Sequence, residues 1–172
     1  AIASHHIYAL TIQDVRLQVV NLNSGNDTYV FKLSKSIIKN SGSYGQWGVI
    51  ALGNYGVLDS CRIFGNKARY IIGNDRNSGT MASIISNNTF YGNSSSVDGN
   101  TYDDVSVIHV EQPKSRVFNN LLFRNLTTAI DFGLNGSDSM IFINNTITLN
   151  KGYGVKFTSN GSPYGGYLIN NI

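Results

Sequence analysis

The stretch NNTFYGN, from Asn87 to Asn93, has relatives along the whole chain. Similar seven-residue segments begin at residues 14, 34, 60, 119 and 144, and another begins with NNI at residue 170. All the complete segments except the first end in Asn, and the average step between them is about 26 residues. Repeats of this period indicate a solenoid or another stacked architecture, in which each unit packs only on its neighbours.

The fourth position of every complete segment is apolar, which predicts one interior stack of side chains. Its members are Leu17, Ile37, Ile63, Phe90, Leu122 and Ile147. In the second unit, a register one residue later replaces Lys32 by Leu33 at the preceding apolar position. It also puts Ile38 in the stack instead of Ile37. The sequence leaves both registers of the second unit open.

The remaining pattern predicts an all-β chain. Short β-rich stretches are separated by Gly, Asn, Asp and Ser, and no segment keeps a helical apolar period over three turns. A step near 26 residues is too short for a propeller blade, so a coil of parallel strands remains. The length of 172 residues predicts a single domain over residues 1–172.

The NNxFxxN segments, followed by pieces such as GYGVKF from Gly152 to Phe157, resemble the repeats of the pectate-lyase-like superfamily. The resemblance covers residues 7–172 and implies a right-handed parallel β-helix of about six to seven coils. It implies an architecture rather than an activity, because such repeats occur in lyases, hydrolases, epimerases, viral tailspikes and surface proteins.

In such a coil, equivalent residues of successive turns lie one strand spacing apart, about 4.8 Å, so the Asn residues should form ladders of side-chain amides. One predicted column contains Asn40, Asn66, Asn93, Asn125 and Asn150. A second contains Asn88, Asn120, Asn145 and Asn171, and its earlier members are Val15 and Cys61. Cys61 is therefore predicted to be a small buried residue rather than a reactive thiol.

Composition excludes several functions. The net charge is +3, but the 13 basic residues form no run longer than a pair, which gives little support to nucleic-acid binding. No apolar run approaches the about 18 residues of a membrane span. The single cysteine excludes an internal disulfide and a Cys-based zinc site. The first residues lack a basic region followed by an apolar stretch, so a secretory signal is expected either to have been removed or never to have been present.

One candidate active site lies on the strand that follows the Asn column. Val49, Ile71, Ile108, Ile130 and Val155 are predicted to point inward, and their successors Ile50, Ile72, His109, Asp131 and Lys156 outward. His109, Asp131 and Lys156 would then be neighbours on consecutive coils, with Glu111 nearby. A base and an acid beside a groove are what a polysaccharide lyase or hydrolase needs. Alternating charges on stacked strands also stabilise a sheet without any catalysis, and this is the stronger interpretation.

No metal site other than calcium is expected. His5 and His6 are adjacent on a strand and point to opposite faces, so they are poor joint ligands. Asp98, Asp103 and Asp104 cluster in the segment VDGNTYDD, and such hard oxygen ligands suit Ca²⁺. An ordinary solvated loop explains the same cluster.

Seven Asn-x-Ser/Thr sequons occur in the sequence. Asn26, Asn135 and Asn160 are the predicted glycan acceptors, because they lie in turn-like segments. Asn93 and Asn125 belong to the predicted ladder, where a glycan fits only if the amide faces solvent.

An apolar column formed by Ile38, Phe64, Tyr91 and Phe123 is predicted on the outer surface. Burial by a loop or a partner chain is the preferred explanation, and contact with sugar rings is the alternative.

Both ends of the repeat offer uncapped apolar residues as contact surfaces. They are Ile7, Leu10 and Ile12 in the first coil and Tyr167, Leu168, Ile169 and Ile172 in the last. These features predict an extracellular or cell-surface module that associates with itself or with a neighbouring chain into a fibre, sheath or coat. The alternative is a carbohydrate-active enzyme or a polysaccharide-binding module.

Overall fold

The chain folds into a parallel β-helix with three long sheets. The computed structural model describes residues 3–15, 20–22, 29–43, 48–53, 55–74, 82–94, 105–111, 114–134, 140–159 and 166–172. In this part of the chain every strand pair is parallel, and no helix occurs. The predicted all-β solenoid is therefore confirmed. Among the described residues no helix is long and apolar enough to cross a membrane.

Six successive coils contribute one strand to each of the three sheets, and β21 adds a seventh strand to the first sheet. The first sheet contains β1 (Ala3–Tyr8), β4 (Tyr29–Ser34), β8 (Gly56–Asp59), β12 (Ile84–Ser86), β15 (Arg116–Phe118), β18 (Met140–Ile143) and β21 (Gly166–Ile169). The second contains β2 (Thr11–Gln13), β5 (Ile37–Lys39), β9 (Arg62–Phe64), β13 (Thr89–Tyr91), β16 (Leu121–Phe123) and β19 (Thr146–Thr148). The third contains β3 (Val20–Leu22), β7 (Ile50–Leu52), β11 (Tyr70–Asn74), β14 (Ser106–Val110), β17 (Thr128–Leu134) and β20 (Val155–Ser159). A short pair joins β6 (Gly42–Ser43) to β10 (Lys67–Ala68).

Two columns of left-handed residues create the bends on either side of the second sheet. The first bend uses Ala9, Lys35, Ser60, Asn87, Asn119, Asn144 and Asn170, with φ between 47° and 57°. The second uses Asp14, Asn40, Gly65, Gly92, Arg124 and Leu149, with φ between 50° and 65°. Asn and Gly tolerate this conformation better than other residues, which explains their recurrence.

The seven-residue pattern follows from these bends. In NNTFYGN, Asn87 occupies the first bend, Asn88 turns inward, and Thr89–Tyr91 form a short strand with Phe90 inside. Gly92 then forms the second bend, and Asn93 turns inward again. A three-residue strand between two bends therefore needs this arrangement of residue types.

Register in the second sheet corrects the predicted interior stack at its beginning. The column is Ile12, Ile38, Ile63, Phe90, Leu122 and Ile147. Ile12 takes the place predicted for Leu17, which lies outside the described residues. Ile38 and Leu33, rather than Ile37 and Lys32, are the inward residues of the second coil, and both are fully buried. The first step is thus 26 residues, because the first coil also starts its strand after a bend, at Ala9.

Side-chain amides inside the bends form the two predicted ladders. In the second bend, Nδ2 of Asn66 donates to Oδ1 of Asn93 at 3.1 Å, and the same contact continues from Asn93 to Asn125 and from Asn125 to Asn150. In the first bend, equivalent bonds of 3.0–3.1 Å join Asn88, Asn120, Asn145 and Asn171. Each Nδ2 also donates to a backbone carbonyl of the preceding coil, such as that of Ile63 for Asn93.

The ladders change chemistry in the first coils, where two predicted members are wrong. Ser41, not Asn40, is the inward residue of the second bend, and its backbone N–H donates to Oδ1 of Asn66 at 2.9 Å. Asn40 forms the bend itself. In the first bend, Leu10 rather than Val15 is the first member, and its N–H donates to Oγ of Ser36. Cys61 is 1% exposed, as predicted, and burial raises the pKa of its thiol to about 11.

Candidate functional site

The candidate site lies on the outer face of the third sheet. Phe132 packs edge-on against Phe142 of the interior, with ring centroids 5.6 Å apart, so its strand neighbour Asp131 is on the opposite face. Asp131 is paired in register with His109 on one side and with Lys156 on the other. The three predicted residues therefore occupy consecutive rungs of one column.

In the coils that precede His109, this column differs from the prediction. Gly73 and Ala51, rather than Ile72 and Ile50, continue the column below His109. Ile50 and Ile72 instead align with Ile108 and Ile130, in the column predicted to contain Val49 and Ile71. Val49, Ile50, Ile71 and Ile72 are fully buried. The one-residue difference in register places Gly73 beside His109 and Ala51 one strand further along.

His109 is held between two carboxylates. Its Nδ1 lies 3.1 Å from Oδ2 of Asp131, and its Nε2 lies 3.0 Å from Oε1 of Glu111. With both carboxylates ionised, and therefore only accepting, both contacts are hydrogen bonds at once only when the imidazole carries a proton on each nitrogen, which is the imidazolium form. Thr158 donates its hydroxyl to the other oxygen of Asp131 at 2.8 Å. Together these four residues form a connected polar group, the histidine cluster.

Packing encloses the histidine cluster. His109 is 8% exposed and Asp131 is 1% exposed, although both lie on an outer face. The ring of Tyr70 stacks on the imidazole at a centroid distance of 4.1 Å and an angle of 9°, and the guanidinium of Arg69 lies 4.9 Å from the Tyr70 centroid. His109 and Asp131 are therefore largely removed from water, which strengthens the attraction between their charges, whereas Glu111 and Thr158 are half-buried.

A missing side chain at Gly133 makes room for Glu111. A Cβ atom added there would lie 2.7 Å from Cγ of Glu111 and 3.1 Å from its Oε1. Any larger residue at this position would therefore displace the carboxylate that contacts His109. Gly133, Tyr70 and Thr158 were not predicted as part of the site. The alternation of strand β17, which makes Asp131 and Gly133 neighbours on one face, was the available signal for the glycine.

The pKa shifts agree with an ion-paired cluster. Burial alone would lower the pKa of His109, but the hydrogen bonds to Asp131 and Glu111 outweigh it and raise that pKa above its ordinary value of 6.5. For Asp131, burial acts to raise the pKa, and the hydrogen bonds from His109 and Thr158 outweigh it and lower the pKa. The geometry and both shifts favour an imidazolium between two carboxylates.

This arrangement limits what His109 can do chemically. A general base needs an imidazole nitrogen with a free lone pair within reach of the substrate proton. Both nitrogens of His109 are directed at protein carboxylates, and Asp131 is enclosed. The described residues contain no group of three or more His, Cys, Asp or Glu side chains arranged to hold a metal ion. Asp98, Asp103 and Asp104 lie outside the described part of the chain, as do Asn26, Asn135 and Asn160.

The outer aromatic column runs along the second sheet. Phe64, Tyr91 and Phe123 stack with centroid distances of 4.7 and 5.3 Å, and all three are half-buried. Lys39, not Ile38, precedes Phe64 in this column, because Ile38 points inward. Tyr91 has a ring on each face, so a sugar ring has no free face of Tyr91 to stack on.

The outermost rungs of the described chain are open. β1 and β21 are the edge strands of the first sheet, and each pairs on one side only. Ile7 is 42% exposed and Leu168 is 49% exposed, whereas the members of the same column between them are at most 1% exposed. The other predicted end residues are also exposed or half-buried: Leu10, Ile12, Tyr167, Ile169 and Ile172.

Comparison with known proteins adds no family: the chain matches no protein-family model, no curated protein and no solved structure. The fold itself defines a class, the parallel β-solenoids with buried Asn and Ser stacks.

Proposed function

We propose that this chain is a structural and interaction module, in which a β-helix associates through its open rungs with a neighbouring chain. The observation that carries the proposal is the pair of edge strands β1 and β21 with exposed apolar residues in an otherwise buried column. The module would act outside the cell or on its surface, as a unit of a fibre, sheath or coat.

We propose that each open edge strand pairs with the other one in a second copy of the chain, so that β1 of one copy pairs with β21 of the next. β1 and β21 belong to the same sheet and follow the same column of inward residues, so pairing them continues both the backbone ladder and the interior stack. Ile7 of one copy would then cover Leu168 of another. Burying such side chains stabilises by about 1.5–3 kcal/mol each. A contact between unlike surfaces that does not close produces a filament.

The closed histidine cluster supports a non-enzymatic role. The described part of the chain contains no other buried histidine, and His109 directs both ring nitrogens at carboxylates. An ion-paired group of this kind fits the stabilisation of stacked strands better than proton transfer to a substrate. Membership of the pectate-lyase-like superfamily is also a proposal, supported by the NNxFxxN repeats.

A carbohydrate-active enzyme is the second candidate, and the column His109, Asp131 and Lys156 favours it. Lys156 is half-buried and lies in register with Asp131, so it has access both to the cluster and to solvent. In an enzyme, replacing Lys156 by Met should lower depolymerase activity at least about 100-fold. Our proposal instead expects no depolymerase activity from the native chain on acidic or neutral polysaccharides.

Sedimentation velocity tests association over protein concentrations from about 1 µM to several hundred µM, which is roughly the range of dissociation constants expected of weak self-association. The native chain should form larger species as concentration rises, and Leu168→Lys should remain monomeric with an unchanged circular dichroism spectrum. Leu126→Lys is the matched control, because Leu126 is 62% exposed but lies in an inner coil. A native chain that stays monomeric, or a Leu168→Lys variant that associates equally well, would refute the proposal.

A further inference from the structure

Four of the seven sequons have their Asn in the described residues, and the fold divides them into two pairs. Asn87 and Asn144 occupy the first bend and are exposed. Asn93 and Asn125 are ladder residues with no exposed surface. The same three-residue signal therefore occurs in two opposite environments within one repeat.

The ladder leaves no room for a glycan. Nδ2 of Asn93 donates to the carbonyl of Ile63 and to Oδ1 of Asn125, both at 3.0 Å, so both of its protons are used. Nδ2 of Asn125 likewise donates to the carbonyl of Phe90 and to Oδ1 of Asn150. A sugar on either nitrogen would remove one bond and would have to occupy the filled interior.

The first bend has the opposite geometry. In Asn144-Asn145-Thr146, the first residue has φ 54° and is exposed, and Asn145 turns inward. Thr146 is the first residue of strand β19 and faces outward, because the next residue, Ile147, faces inward. The acceptor amide and the threonine of the sequon are therefore on the same outer side. Asn87-Asn88-Thr89 repeats this arrangement, but Nδ2 of Asn87 already donates to Oδ1 of Asp59 at 2.8 Å.

We infer that Asn144 is an N-glycosylation site of the folded protein, that Asn87 is a weaker one, and that Asn93 and Asn125 are excluded. The donor is a polyprenyl-diphosphate-linked oligosaccharide. Nδ2 of the Asn forms a bond to the anomeric carbon, whose bond to the diphosphate oxygen breaks with its electron pair. Polyprenyl diphosphate leaves, and one amide proton passes to a base of the transferase.

Secretion of the 172-residue chain from a glycosylating eukaryotic host, with an added signal peptide, tests the inference. Folded monomeric protein is isolated, and site occupancy is measured by glycopeptide mass spectrometry. Occupancy at Asn144 should exceed that at Asn87, with none at Asn93 or Asn125. Thr146→Val should abolish the modification at Asn144, and Thr146→Ser, which keeps the sequon, should retain it.

A second variant keeps the test decisive if the native chain is not secreted. Ser95→Ala combined with Thr127→Ala removes the two buried sequons and leaves those of Asn87 and Asn144. Asn144 should then be occupied in the secreted protein. An unmodified Asn144 in folded protein, or a glycan on Asn93 or Asn125 in folded native protein, would overturn the inference. The result is independent of self-association, because the occupancy is measured on monomer.

Discussion

The molecule buries polar groups in two different ways. At the bends, neutral Asn side chains repeat from coil to coil; each one donates to a carbonyl, and all but the last of each ladder also donate to the next Asn. On the outer face of the third sheet, one charged group occurs once, built from His109, Glu111, Asp131 and Thr158. A ladder can lose one member and keep the others. In the charged cluster, removing His109 leaves two carboxylates without their counter-charge, and removing either carboxylate takes a charged partner from His109.

Removing Asp131 should destabilise the protein more than any single change in the ladder. Asp131→Ala deletes the enclosed carboxylate at Nδ1 of His109 and leaves the more exposed Glu111 as its remaining carboxylate partner. Breaking a buried ion pair costs about 3–5 kcal/mol. Chemical denaturation near pH 6, where His109 is charged, measures the loss. Thr158→Val is the control, since it removes only one hydrogen bond to Asp131. A loss for Asp131→Ala no greater than for Thr158→Val would mean that the cluster does not act as an ion-paired unit.

The ladder should respond less strongly than the cluster. Asn93→Ala removes two side-chain N–H donors and takes the Oδ1 acceptor from the backbone N–H and from one Nδ2 proton of Asn66, at a cost of about 1–3 kcal/mol. Asn150→Ala, at the half-buried end of the same ladder, should cost less, because water replaces part of the lost bonding. Denaturant titration of both variants checks the order. Equal losses would show that burial does not set the strength of the ladder.

Raising the pH should weaken the cluster and leave the ladder unaffected. The pKa of His109 is raised in the folded state, so its stabilisation is complete below pH 6.5 and is lost as pH rises through the raised value. The pKa of Asp131 is lowered, so its contribution is present above pH 3.8 and is lost only as pH falls through the lowered value.

The free energy of unfolding, followed from pH 6 to pH 9, should therefore decline in the native chain by less than the loss caused by Asn93→Ala. His109→Gln should remove most of this decline, whereas Asn93→Ala should preserve it. A decline of the same size in His109→Gln would assign the pH dependence to other groups.

Leu149 offers the smallest effect, and of opposite sign. It adopts a left-handed conformation with φ 56° and is 71% exposed, so its side chain contributes little packing while its backbone is strained. Leu149→Gly should stabilise the protein by about 0.5 kcal/mol. The control Leu126→Gly, at an exposed leucine outside the left-handed positions, should destabilise it. Thermal melting separates the two, and destabilisation by Leu149→Gly would count against strain at this bend.

The two polar systems also differ in how far sequence alone predicts them. Asn-Asn doublets mark the bends of the later coils, so the ladder through Asn93 and Asn125 was predictable from the period. The first coils have Leu10, Ser36 and Ser41 at ladder positions, and without the Asn doublets the sequence pattern predicts the wrong register there. A register error of a single residue moves an inward residue to a bend or to the outer face.

The histidine cluster was predictable only in part. Adjacent rungs place His109 beside Asp131, which follows from the repeat step alone. The enclosure of the cluster does not follow from that step, because it depends on the ring of Tyr70 and on the space above Gly133. Both are contacts made once, by residues that do not recur at the same position of other coils.

The protonation state of His109 tests most directly whether the cluster is structural or catalytic. Nitrogen-15 NMR of histidine-labelled protein, titrated from pH 5 to pH 9, reports how many protons the imidazole carries. A structural ion-paired cluster predicts that His109 stays doubly protonated at pH 6.5 and loses its proton only at higher pH. A neutral His109 at pH 6.5, with one nitrogen free to accept a proton, would contradict the structural role and favour the enzymatic alternative.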